Sequence, residues 1–236
     1  MGGVAALIEA ATYLVGIGVL FTLLAPIAGG VDPAKYLAFL ADNQIFMHLW
    51  ILLIYVVNGI FLVVLVLALY DRLKAGSPAM AQTATAFGLI WAGLVIASGM
   101  LMIHDLGVVG RLYGKDPARA VTVWVALSAV EDALGGGIEL PGGLWILLVS
   151  WAALRAGGLP KALNYLGVLI GVAGILMVAP ALDVLSPVFG LGSMEWFAWA
   201  GVVMLRSKPS ATALNPARQM RQQSSGEHST LDQPGV

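Results

Sequence analysis

Apolar residues run almost unbroken at about 5–28, 46–70, 80–103, 140–156, 160–181 and 188–206. Each run is near the ~20 residues that carry a helix across ~30 Å of hydrocarbon. The pattern therefore predicts six membrane spans with both termini on one side. A seventh stretch, 117–134, differs. Asp116 and Pro117 suit N-cap and first-turn positions, and Trp124, Ser128 and Asp132 make the segment amphipathic. It leads into AVEDALGGGIELPGG, residues 129–143, which holds three carboxylates, five glycines and a proline between apolar runs. Three consecutive glycines at 135–137 each cost a helix about 1 kcal/mol relative to alanine, so a helix should end there. Pro141 fits the first turn of the next helix and places Glu139 just before an N-terminus whose free N–H groups favour negative charge. The expected architecture is an all-α integral membrane protein, a six-span helical bundle with one re-entrant or interfacial broken helix.

Composition agrees. Hydrophobic residues make up 59% of the 236 positions and charged ones 11%, well below the roughly 25% of soluble domains. One bundled domain over 1–206 uses the available length. Residues 207–236 are rich in Ser, Gln and Pro without apolar periodicity, and are expected to form a disordered cytoplasmic tail that removes His228 from any site. APIAGG at 25–30 faintly resembles a leader cleavage site. No Lys or Arg precedes the run, however, and it is long for a leader, so it reads as the first span. There are no cysteines, which excludes disulfide and thiolate chemistry. A net charge of −1 gives no reason to invoke nucleic acid.

Charge decides the topology, because Lys and Arg concentrate on the cytoplasmic side. If 117–134 does not cross, Arg72, Lys74, Arg155, Lys161, Arg206, Lys208, Arg218 and Arg221 lie inside, against Lys35, Arg111, Lys115 and Arg119 outside. If it crosses, the bias reverses. The non-crossing arrangement puts both termini in the cytoplasm. It also leaves Asp32, Asp42, Asp105, Asp116, Glu131, Asp132, Glu139, Asp183 and Glu195 outside, with Glu9, Asp71, Glu227 and Asp232 inside.

Several of the outer acids sit in or beside apolar runs, where a charge costs several kcal/mol unless paired or wetted. A broken membrane helix is tolerated where it is buried in protein or lines a cavity, and transporters use such breaks for binding. Glu131, Asp132, Glu139, Asp105, Tyr55, Asn58 and Glu195 are accordingly ligand-binding candidates, with Glu131 and Asp132 able to share a proton. His48 and His104 could reach the same layer. Two nitrogens and a carboxylate would suit a divalent metal such as zinc or iron, yet no HExxH or similar spacing occurs. A lone interfacial histidine beside Trp50 is more often a hydrogen-bonded boundary residue. The tryptophans at 50, 91, 124, 145, 151, 196 and 199 read as including interface anchors.

Glycines recur at packing spacing: Gly16 and Gly18, Gly88 and Gly93, and Gly167, Gly171 and Gly174. Small residues three or four apart let membrane helices approach closely. They serve either packing within the chain or, in the last group, a homodimer face.

The runs GGLWILLVSWAALRAGGLPKALNYLGVLIGVAGIL at 142–176 and AFGLIWAGLVIASGM at 86–100 resemble a bacterial multi-helix membrane family grouped as domain of unknown function 4386. The resemblance implies an uncharacterised prokaryotic inner-membrane protein and transfers no catalytic residues.

The leading functional expectation is a non-enzymatic membrane protein with an acidic, outward-facing polar cavity that binds or passes a small molecule, lipid headgroup or cation. A membrane accessory or scaffold protein is one alternative. A metal-dependent intramembrane enzyme acting on a lipid-like substrate is another.

Overall fold

The structure is a computed structural model that describes residues 1–25, 32–136 and 139–206, without the side chains of 135 and 136. The expected tail at 207–236, most of APIAGG and Gly137 lie outside the described residues. All regular elements among the described residues are helical: α1 Gly2–Thr22, α2 Pro33–Asp42, α3 Gln44–Ile51, α4 Asn58–Leu73, α5 Pro78–Tyr113, α6 Pro117–Glu131, α7 Leu140–Ala156, α8 Lys161–Leu176 and α9 Ser186–Arg206. Two π-helical segments, Leu52–Val57 and Asp132–Gly136, follow α3 and α6, and a 3-10 turn at Pro180–Leu185 precedes α9.

Four of these stretches are long and apolar enough to cross a membrane: Gly2–Thr22, Gln44–Leu73, Pro78–Tyr113 and Pro180–Arg206. Helices α7 and α8 are apolar but shorter, at 17 and 16 residues. The third apolar run was expected to end near 103. Instead α5 continues to Tyr113 and reaches 36 residues, about 54 Å at ~1.5 Å per residue. That exceeds a ~30 Å hydrocarbon core, so one end of α5 must reach into the interfacial layer. The α-helix ends before the glycines, and π-helical winding carries the chain on through Gly135 and Gly136. Helix α6 stops at Glu131, a π-helical turn takes over, and α7 begins with Glu139 at its N-cap and Pro141 in its first turn.

Local chemistry accounts for the other ends. Asp32 Oδ1 accepts from the Ala34 N–H at 3.0 Å to start α2, and Asp116 Oδ1 accepts from the Arg119 N–H at 3.1 Å to start α6. Gly157, at φ 72°, closes α7 in the left-handed region.

The larger core is an aromatic cluster seated on glycine. Trp91 of α5, Trp145 of α7 and Trp196 and Phe197 of α9 are buried, with neighbouring ring centroids 5.6 to 6.4 Å apart. Tyr13 of α1 joins at 5.7 Å from Phe197. Of the seven tryptophans among which the sequence suggested interface anchors, Trp91, Trp145 and Trp196 are core residues. Flat glycine surfaces make room for the rings: a Cβ on Gly88 would lie 2.6 Å from Trp145, one on Gly142 2.6 Å from Trp91, and one on Gly174 2.7 Å from Phe189.

Helices α7 and α8 meet backbone to backbone, so a Cβ on Gly143 or Gly171 would fall 2.8 or 2.7 Å from the other residue's carbonyl oxygen. Gly167, Gly171 and Gly174 are all buried, and their neighbours are Ser150, Trp196, Gly143, Leu147 and Phe189. The surface considered for a homodimer is filled within one chain. Gly18 and Gly93, by contrast, face nothing within 4 Å.

This difference yields a matched test. Gly143→Ala should destabilise the protein by about 1–3 kcal/mol, the usual cost of overpacking. Gly93→Ala, with the same gain in helix propensity, should be neutral or stabilising. Thermal melts of both variants in detergent would show the ordering, and equal melting temperatures would contradict the packing account.

Candidate functional site

A second, smaller apolar cluster is built from Leu24, Leu37, Leu40, Met47, Ile51, Leu106, Val109 and Ala120. Helices α2, α3, α5 and α6 supply all but Leu24 of it. A cavity of about 420 Å³ lies within this cluster, a volume in the range of small-molecule sites. Its walls are mainly apolar and aromatic, including Leu37, Met47, Trp50, Met102, Leu106 and Trp124. Tyr36 and Trp124 pack at 4.9 Å between centroids.

Acid enters this apolar space from two elements. Asp105 arrives on the extended part of α5, while Glu131 and Asp132 arrive at the junction of α6 with its π-helical turn, and all three line the cavity. Asp105 and Glu131 are buried, at 7% and 9% exposure. Asp132 is exposed and so belongs to the cavity's rim. Asp105 Oδ2 is buried without a hydrogen-bond partner. No Lys, Arg or His lines the cavity among the described residues. Burial, and then the neighbouring Asp105 and Asp132 carboxyls, push the Glu131 carboxyl up to about 7.

Tyr55 joins the acids because it belongs to the π-helical segment after α3. It packs against both apolar clusters and lines the cavity. A Cβ on Gly99 would clash with the Tyr55 Cβ, so the glycine sets how closely that segment approaches α5.

The other sequence candidates go elsewhere. Glu139 does not line the cavity. Its Oε2 is buried without a hydrogen-bond partner and its side chain makes no capping bond. Trp91 Nε1 faces it, also without bonding geometry. Burial raises this carboxyl too, to about 7, while Trp91 opposes the shift. Glu195 is exposed on α9 and Asp183 is exposed in the 3-10 turn, so neither joins the site. Both had seemed eligible because they share a depth with the others, yet shared depth did not bring contact.

The metal candidates also separate. His48 Nδ1 hydrogen-bonds the Gln44 carbonyl oxygen at 2.8 Å, and His104 is exposed. Among the described residues no three His, Asp or Glu side chains come close enough to hold a metal ion. His48 on α3 and His104 on α5 could become ligands only through tertiary contact with further donors, and no such group of three forms among the described residues.

Asn58 belongs to a different polar group, which sequence reasoning missed. It is buried at the start of α4 and donates from Nδ2 to Glu9 Oε2 and, at 2.8 Å, to Thr12 Oγ1. Thr12 in turn donates to the Glu9 carbonyl oxygen at 2.8 Å. Glu9, sorted by its sequence position to the cytoplasmic side, is fully buried between α1 and α4, and its Oε1 has no partner. The available signal was Glu9 itself, the one charged residue in the first apolar run. An ionisable group there demands a partner.

The match to known families fits this picture of apolar helices around a few polar groups. The model of a family described as Domain of unknown function (DUF4386) matches residues 1–206. The chain belongs to that family. No curated protein and no solved structure matches it significantly. The family match covers both the aromatic core and the acidic cavity of this DUF4386 member.

Two outcomes follow. Because the folded chain holds the Glu131 proton more tightly than an unfolded chain does, protonation adds stability in full below about 4.5, and this is lost as pH rises through about 7. Melting temperature should therefore fall across that window, and Glu131→Gln should flatten the fall; an unchanged slope would remove Glu131 as its source. Asn58→Leu should cost about 1–3 kcal/mol by stranding the Glu9 carboxyl. The double variant with Glu9→Leu should recover part of that loss in the same melts, since removing both partners strands neither.

Proposed function

We propose that this protein is a multi-pass inner-membrane protein whose cavity binds or passes a small molecule with an apolar body and a polar group directed at Asp105, Glu131 and Asp132. The observation that carries the reading is the pairing of an apolar, aromatic-walled space with buried acid. Asp105 Oδ2 is buried and meets no N–H or hydroxyl donor among the described residues, its polar neighbour being the Glu131 carboxyl, and two carboxyls crowded together in an apolar wall carry a cost. A ligand donor at that point would offset the cost. Two π-helical segments abut the cavity and deliver Tyr55 and Asp132 to it. Such segments are uncommon and concentrate at functional positions.

Six spans, counting the shorter α7 and α8, with cytoplasmic termini are the topology we propose. Its support is the distribution of Lys and Arg, eight inside against four outside. In that arrangement the cavity opens toward the outer face.

Native mass spectrometry of protein released from lipid nanodiscs tests the reading directly. The wild type should carry a small-molecule adduct. Leu106→Trp, which puts a large side chain into the cavity wall, should lose it while retaining the wild-type melting behaviour to within a few degrees. An adduct that survives in the filled variant places the ligand elsewhere, and a wild type that is bare under every gentle condition counts against a binding function.

A further inference from the structure

Resting on the cavity as a binding site, we infer that its occupant is an apolar amine bound as an ammonium cation. Three features narrow the chemistry. First, the three lining carboxyls meet no Lys, Arg or His in the wall. Acid groups with no basic side chain among them favour a cation over an anion.

Second, the acids are not gathered tightly enough to form a metal-holding group among the described residues. A compact divalent ion needs several oxygen ligands at once. A monocation needs one or two carboxylates and can take the rest of its environment from apolar and aromatic surface. Third, that surface is present. Trp124 and Tyr36 pack with ring centroids 4.9 Å apart, tilted by 34°, and line the cavity with Trp50, and ring faces attract an alkylammonium group. The unpartnered Asp105 Oδ2 favours an amine that still carries an N–H, because a quaternary ammonium has no hydrogen to donate.

The remaining wall specifies the rest of the molecule. Leu37, Met47, Met102 and Leu106 offer hydrocarbon, and no Asn or Gln side chain lines the cavity among the described residues. The fitting class is therefore a hydrocarbon or aromatic group joined to one protonated nitrogen. Free metal ions, polar zwitterions and anionic headgroups fit less well.

The test uses three molecules of one shape: 3-phenylpropylammonium, its uncharged carbon isostere butylbenzene, and the anion 3-phenylpropionate. Each is titrated calorimetrically into wild-type protein in phosphatidylcholine nanodiscs, with empty nanodiscs as the blank. The amine should bind at least roughly tenfold more tightly than butylbenzene, and the anion should not bind. The double variant Asp105→Asn, Glu131→Gln should bring that preference close to unity. Asp183→Asn, an exposed acid outside the cavity, should keep the wild-type preference.

Equal affinity for amine and butylbenzene in the wild type overturns the cationic class and leaves the cavity reading standing. A preference that survives the double variant overturns the assignment to these acids. Failure of all three molecules to bind, together with a bare native mass spectrum, overturns the cavity reading as well. The wild-type comparison stands alone if the double variant does not fold.

Discussion

The structure depends on how closely its helices approach across glycine. Inside a bilayer, burying leucine against a neighbouring helix gains little over leaving it against lipid, so helices associate through close packing. This chain meets the requirement with flat surfaces. Gly88 and Gly142 receive Trp145 and Trp91, Gly174 receives Phe189, and Gly143 and Gly171 bring α7 and α8 into backbone contact. Those contacts fix α5, α7, α8 and α9 around the aromatic cluster. They also set where the cluster stops: beyond Gly99 the aromatic core has no further tryptophan on α5, and the helix runs on to Tyr113 with different neighbours.

Those neighbours are elements that the aromatic core does not hold. Helices α2 and α6 have 10 and 15 residues and start with capping aspartates. They cover the long end of α5 instead of continuing the bundle, and the side chains they contribute leave a space. A closely packed end would have no room for a ligand, and an uncovered end would be open to lipid. The cavity follows from covering one overlong helix with two short ones. The π-helical turns then aim polar groups at it, Tyr55 from the turn after α3 and Asp132 from the turn after α6. A wider helical turn rotates the following residues relative to a regular helix, so Asn58, only three residues past Tyr55, points to Glu9 and not to the cavity.

Much of this was legible in the residues. The apolar runs located the helices, Asp116 with Pro117 marked the start of α6, and the glycine triplet with Pro141 located the break and Glu139. Asp105, Glu131, Asp132 and Tyr55 were recognised as polar residues in apolar surroundings, and these four share the cavity. The misses have one physical cause. Spacing along a helix gives a face and a depth, but not which neighbour the face meets. Hence Glu195 and His104 carried the same sequence signal as Asp105 and are exposed. The sequence did not separate anchoring tryptophans from buried ones, because an indole suits both a wet boundary and a dry core, and the glycines opposite Trp91, Trp145 and Trp196 decide for the core. The extension of α5 past 103 was hidden by polar residues that usually end a span, although His104, Asp105 and Arg111 are all compatible with a helix that has left the hydrocarbon.

The two buried acid groups show why burial alone does not define a site. Glu9 and Asp105 are both buried and both keep one oxygen without a partner. Glu9 nevertheless sits among close-packed neighbours, bonded by Asn58, with Thr12 completing the group. Any added ligand would have to displace packed side chains, so the group serves to fix α1 against α4. Asp105 faces a space of about 420 Å³, where a donor can be supplied without disturbing the fold. The same kind of buried carboxyl oxygen thus meets close packing in one place and open volume in the other. The difference lies in the volume beside it, which is set by the length of α5 and the shortness of the helices that cover it.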